Sequence, residues 1–246
     1  MSRLLFVWGL TLWIAPSWPA AAGSFNPYAV PREQVQARVH TIALNRVVLP
    51  PGTADADAVR DRFESLIMAR LQAQGFKTVP AAAYEEVWGA MSARVGGVFN
   101  PVTGRADEKK FETVREHTAR ELEHRHGADA ILDAFVTVGY ALPGTTFGLP
   151  MGHYALWGQA IPWQGKPIPE PPVNRPQQVR ATYLDVILRD LAGTKLYGIR
   201  LGIEWVRVYV ARSYEDRPPA ELYALDRCKK SVDGALDMLV ATGTHP

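Results

Sequence analysis

One cysteine in 246 residues, Cys228, is the scarcest feature of this sequence. A single thiol has no intrachain partner, so disulfide bonds do not hold the fold together. Charge of one sign is lacking as well: 27 Lys and Arg stand against 25 Asp and Glu, a formal net charge of +2. Over the whole chain that balance generates no field to draw nucleic acid or an anionic membrane surface. Long apolar runs are missing beyond the first residues, and the run from Leu4 to Ala15 falls short of the ~20 residues a membrane-crossing helix needs. The signatures of nucleophilic serine chemistry, GxSxG and SxxK, do not occur, nor does the HExxH of zinc proteases. Gly96-Gly97 lacks the spacing of a P-loop or a dinucleotide fingerprint. No internal repeat is found, so solenoid and propeller architectures have no sequence support.

What the chain does contain is ample apolar material. Hydrophobic residues make up 47% and charged residues 21%, which suffices for one globular core. At the start, Arg3 precedes the apolar run, Pro16 and Pro19 break it, and the small trio Ala20-Ala21-Ala22 follows. That layout is a secretory signal over residues 1–22, cleaved between Ala22 and Gly23. Retention as an anchor is the weaker reading because the run is too short. Gly23-Ser24-Phe25 offers no cysteine for a lipid, so the expected product is a periplasmic or secreted protein that is not a lipoprotein.

Residues 23–38, polar and with Pro27 and Pro31, read as a leader, and residues 39–241 as a single α/β domain. "VHTIALNRVVLP" (39–50) has apolar residues in both alternating sets, the mark of a strand covered on two faces. After a turn with Thr53 and Asp55 as caps, Val59, Phe63, Leu66, Ile67 and Leu71 share one face of a helix that Gly75 ends. "FKTVP" gives a short strand, and Tyr84, Val87, Trp88 and Met91 stripe a second helix over 81–94. Asp107 caps a third helix with inner residues Phe111, Val114, Thr118 and Leu122, stopped by Gly127. "ADAILDAFVTVGYAL" is a buried strand. Residues 143–176 form an insertion rich in Pro, Gly and aromatics, in which 154–161 has the pattern of an edge strand. Two alternating strands follow, and "DLAG" between them signals a hairpin through Asp190 and Gly193. A phase slip predicts a bulge near Trp205, and Pro218-Pro219 opens a last helix that carries Cys228 among leucines. The expected fold is three-layered, with helices packed on a mixed sheet of about five strands that ends in an antiparallel hairpin.

This order, with "LQAQGFKTVPAAAYEEVW" and "HGADAILDAFV", resembles the amino-terminal α/β domain of TolB and the CsgG-type fold. The likeness runs from about Val39 to Val240. It implies a component of an envelope apparatus that contacts partner proteins; separately, no cofactor is expected. The chain carries neither the blade repeats of the TolB propeller nor the lipid-bearing Cys of CsgG-type proteins.

Three places carry candidate site residues. In "ARVGGVFNPVTGRADEKK" (93–110), Gly96-Gly97 permits positive φ, Asn100-Pro101 makes a corner and Thr103-Gly104 turns back, which defines a loop. Either it orients the third helix on the second with Phe99 tucked under as a plug, or it presents Phe99, Asn100 and Arg105 to a partner. In the 143–176 insertion, Trp157 and Trp163 either cover the sheet or form an aromatic groove for a protein or a glycan. On the third helix, His117, Glu121 and His124 at i, i+4 and i+7 have the spacing to hold zinc, but they lie off the apolar stripe, so a solvated charged face is the better reading. The acidic group Asp55, Asp57, Asp61 and Glu64 reads as helix N-terminal complementarity, and Cys228 as a packed thiol. The expectation is therefore a non-catalytic periplasmic protein that binds a partner protein in cell-envelope assembly or trafficking. The alternatives are a metal-assisted hydrolase using His117, Glu121 and His124, and an aromatic glycan- or peptidoglycan-binding module.

Overall fold

A computed structural model describes residues 26–143, 153–156, 159–162, 179–210, 213–237 and 239. In chain order the elements are α1 (Arg32–Arg38), β1 (Thr41–Leu44), α2 (Ala56–Ala73), β2 (Lys77–Val79), α3 (Ala81–Arg94), α4 (Glu108–His126), β3 (Ala130–Pro143), β4 (His153–Leu156) and β5 (Gln159–Pro162). Then come β6 (Val179–Asp190), β7 (Lys195–Trp205), β8 (Arg207–Val210), β9 (Ser213–Asp216), α5 (Pro219–Leu222) and α6 (Leu225–Leu236).

The body of the sheet runs β2-β1-β3-β6-β7. β1 is parallel to β2 and β3, and β3, β6 and β7 are antiparallel. β6 pairs with β3 from Ala130 to Ala141, and β1 occupies the other edge only at residues 130–132. Beyond Ala141 the end of β3, at Leu142 and Pro143, pairs with β4, whose hairpin with β5 extends the sheet. β8 and β9 form a separate two-stranded ribbon.

Side-chain alternation splits the core into two sides. One face of the sheet, with Ile42, Leu44, Leu132, Ala134, Leu184, Val186 and Leu188, packs on Phe63, Ile67 and Leu71 of α2 and on Val232, Ala235 and Leu236 of α6. The opposite face, with Ala43 and Ile131, packs on Tyr84, Val87 and Met91 of α3 and on Val114, Ala119 and Leu122 of α4. Each fully buried Leu, Ile or Phe contributes roughly 1.5–3 kcal/mol relative to exposure. The expected three-layer α/β domain with a mixed five-strand sheet is thus the fold, and among the described residues no helix is long and apolar enough to cross a membrane.

Several local expectations need correction. The segment read as a leader belongs to the body from Pro27 onward. Tyr28 bridges Tyr197 on the outer edge of β7, its ring edge-on to Tyr197 at 5.1 Å, and Val35 of α1 is buried. Polarity disguised it, because only Val35 and Val39 of the following helical turn face inward. The first strand is shorter than 39–50. β1 ends at Leu44, Asn45 still donates to the Leu132 carbonyl, and pairing resumes at Val48 beside Phe135 after Arg46 and Val47 loop out. The Val47 amide released by that loop donates to the Glu64 carboxylate at 3.0 Å, so Glu64 supports the loop rather than the helix terminus, and burial holds its carboxyl above the usual range. Asp55 precedes α2 in a left-handed conformation (φ 50°) without capping it. The last long strand is two: β7 slips register opposite Thr182/Tyr183, next to Trp205 as the phase predicts, and the chain then leaves the sheet as β8.

Candidate binding loop

The turn between α3 and α4 is built residue by residue. Gly96 (φ 73°) and Gly97 (φ 84°) take up positive φ where α3 ends, and the Gly97 amide closes onto the Ser92 carbonyl at 2.9 Å. Val98 then turns inward, buried among the α3 and α4 side chains, and anchors the loop. Beyond it the chain forms a small closed hairpin. Phe99 pairs with Ala106, the Asn100 amide donates to the Arg105 carbonyl (2.8 Å), and the Asp107 amide donates to the Val98 carbonyl (2.8 Å). At the tip the Asn100 Oδ1 accepts from the amides of Val102 (2.9 Å) and Thr103 (3.0 Å), and the Gly104 amide returns to the Asn100 carbonyl (2.8 Å). Asp107 then caps α4 by accepting from the Lys110 amide at 3.1 Å.

This hairpin holds apolar side chains in water. Phe99 is 59% exposed and Val102 91% exposed. The expectation that Phe99 plugs the junction is therefore wrong: Val98 does, because the Phe99–Ala106 pairing turns adjacent side chains to opposite sides. Around the tip, Arg94, Arg105 and Lys109 are exposed and Lys110 is half-buried. Among the described residues no carboxylate lies within ion-pair distance of these four. By contrast Arg46, Arg70, Arg115, Arg125, Arg189, Arg200, Arg207, Arg217 and Arg227 are each paired. Behind the loop an aromatic ladder joins the helices. Tyr84 stacks on Trp88 (6.1 Å, 13°), and Phe111, 37% exposed, meets Trp88 edge-on at 5.2 Å.

The other candidates fare differently. His117 and His124 are exposed on α4, and Glu121 accepts from the Arg125 Nε at 2.7 Å. No three His, Cys, Asp or Glu side chains among the described residues stand where they could share a metal ion. Trp157 and Trp163 lie outside the described residues. Cys228 is fully buried, and burial raises its thiol from about 9 to about 11, which suppresses the thiolate. An open cleft of about 480 Å³ lies between the start of α2 and α5, lined by Asp55, Asp57, Arg62, Pro219 and Tyr223 among others. Its Arg62 is already committed to the Tyr223 carbonyl, and it holds no nucleophile beside a base.

Three features escape sequence reasoning. Val102 gave no signal because an isolated valine in a turn has no periodic partner. On the face away from α2, Asp133 pairs with Arg189 (3.2 Å) and Asp185 with Arg200, which also lies over the Tyr183 ring at 5.9 Å. These are cross-strand pairs, and only knowledge of the register exposes them. Third, Glu204 is buried without access to water. It sits 2.7 Å from the Arg227 guanidinium and 3.5 Å from that of Arg217, with its Oε1 also accepting the Trp205 amide.

No family model matches this sequence, and no curated protein is significantly similar to it. Solved structures similar to it include lipoprotein GNA1162 from Neisseria meningitidis, at 17% identity and TM-score 0.33 over 68% of this chain and 83% of that one. The PelC dodecamer from Paraburkholderia phytofirmans has 10% identity and TM-score 0.35 over 83% and 89%. The hypothetical protein CT253 from Chlamydia trachomatis has 10% identity and TM-score 0.33 over 70% and 74%. Likeness at this level transfers neither activity nor partner.

Proposed function

We propose that this chain is a non-catalytic protein of the cell envelope, exported through residues 1–22 to the periplasm or beyond. There it engages a partner protein in envelope assembly or trafficking through the 97–106 hairpin. One observation carries the reading: a loop closed by backbone and Asn100 hydrogen bonds keeps Phe99 and Val102 in water. Val48 and Leu225 are exposed singly, as surface apolar residues commonly are, whereas Phe99 and Val102 stand together on one closed loop, and apolar side chains grouped out of a core favour a contact surface. Asn100 shapes the tip and Arg105 places a cation beside it. The likeness of element order to the TolB amino-terminal domain and the CsgG-type fold agrees with a partner-binding role.

The test is comparative recovery. The wild type and a Phe99→Ser/Val102→Ser variant are purified from crosslinked envelope fractions of the same cells, with osmotic shock used to establish the compartment. A protein recovered with the wild type and lost with the variant supports the reading. Recovery of nothing, or of the same proteins by both, refutes it.

A further inference from the structure

The partner's own surface can be specified further, on the premise that the 97–106 hairpin is the contact. Two independent features of the tip point the same way. Its apolar part is small and convex, two side chains set at fixed separation by the Asn100 turn. Its flanks carry Arg94, Arg105, Lys109 and Lys110, without a carboxylate in ion-pair distance among the described residues, whereas Arg46, Arg70, Arg115, Arg125, Arg189 and Arg200 are each paired. The neighbouring acids offset only half of this charge: Asp107, which caps its own helix by accepting from the Lys110 amide, and exposed Glu108 leave a net charge of +2 over residues 94–110. From this geometry we infer that the hairpin fits an acidic protein surface containing an apolar socket, into which Phe99 and Val102 insert while Arg105 and Lys109 meet carboxylates at its rim.

A basic loop with an apolar tip also suits an anionic bilayer, and the rigidity of the loop decides between the two. Adsorption to lipid grows with buried apolar area and local cationic charge, and a fluid surface gains nothing from a fixed spacing. A protein socket does gain from it, because a contact held in its bound shape loses less entropy on association. This hairpin offers little area and much order.

A photo-reactive amino acid placed at Val102 in living cells, followed by mass spectrometry of the crosslinked peptide, locates the socket. The identified partner is then titrated against wild type, Phe99→Ser and Arg105→Glu/Lys109→Glu. A crosslinked segment rich in Asp and Glu is expected, with binding weakened about tenfold or more by either variant. Raising salt from 50 to 500 mM should weaken the wild type about tenfold but change the charge-reversed variant little. Reversing two partner carboxylates to Lys should restore binding of the charge-reversed variant, which a merely misfolded loop would not show. A partner segment without acidic residues, or affinity indifferent to salt and to charge reversal, overturns the inference while leaving the hairpin as the contact. In a parallel arm, the wild type is sedimented with phosphatidylglycerol/phosphatidylethanolamine vesicles. Binding there that depends on Phe99, with no protein crosslink from position 102, overturns both the acidic socket and the protein partner. No crosslink and no vesicle binding likewise refutes both.

Discussion

Cys228 shows how burial sets the chemistry of a single side chain. It lies in α6 against α2 with no exposed surface, and its ionisation is displaced from about 9 to about 11, mainly by desolvation. The sign of the pH effect follows. The folded thiol holds its proton longer than the unfolded one, so its contribution to stability is intact below about pH 9. It is lost as pH rises towards 11, by up to about 1.4 kcal/mol per pH unit. The native protein should therefore be inert to a thiol reagent at pH 8 and react only at its unfolding rate, which timed labelling with and without urea measures. Cys228→Ser buries a more polar hydroxyl in place of the thiol, beside the Arg62 guanidinium, and should lower stability by about 1–3 kcal/mol in urea unfolding. At Glu64 the same burial acts on a carboxylate that answers a backbone amide. Glu64→Ala leaves the Val47 N–H without its partner, and a loss of about 1–3 kcal/mol is expected.

Among the elements, the α3–α4 pair shows how far sequence pattern reaches. The limits of α3 and its stripe of Tyr84, Val87 and Met91 follow from apolar spacing, and the stop at Gly127 from its left-handed conformation. Asp107→Ala removes the cap of α4 and should cost about 1 kcal/mol, read from the urea midpoint. Gly97→Ala forces a side chain into φ 84° and should cost a similar amount or more. Asn100→Ala differs: the tip loses its side-chain turn while the core is untouched. Thermal unfolding should shift by only a few degrees, with partner recovery lost. The direction of Phe99 was not legible in the sequence, since a pairing of two residues across a six-residue turn has no periodicity to report it. The cationic cluster was hidden for a related reason. Net charge sums over the chain, whereas pairing depends on which carboxylates the fold brings near.

The whole molecule depends on contacts between residues far apart in sequence. Layer order and the β6–β7 hairpin follow from alternation and turn chemistry, but the Glu204 cluster does not, because its partners come from the end of β9 and from α6. A buried carboxylate between two guanidinium groups ties the sheet to the last helix. Breaking it from one side should cost more than replacing it whole. Glu204→Leu is expected to cost about 3–5 kcal/mol, and adding Arg217→Met and Arg227→Leu should recover part of that loss, as thermal unfolding of the two variants would show.

Pro27 and Ala29 seal the outer edge of β7: the Ala29 amide donates to Leu196 and the Gly198 amide to Pro27, both at 2.9 Å. The strip and the edge it covers lie far apart in the chain, so the edge closes only when the two ends of the domain have come together. Until they do, Tyr197 and a row of β7 backbone groups stand open to other chains, and a change that loosens the strip would turn that edge into a place where copies stick.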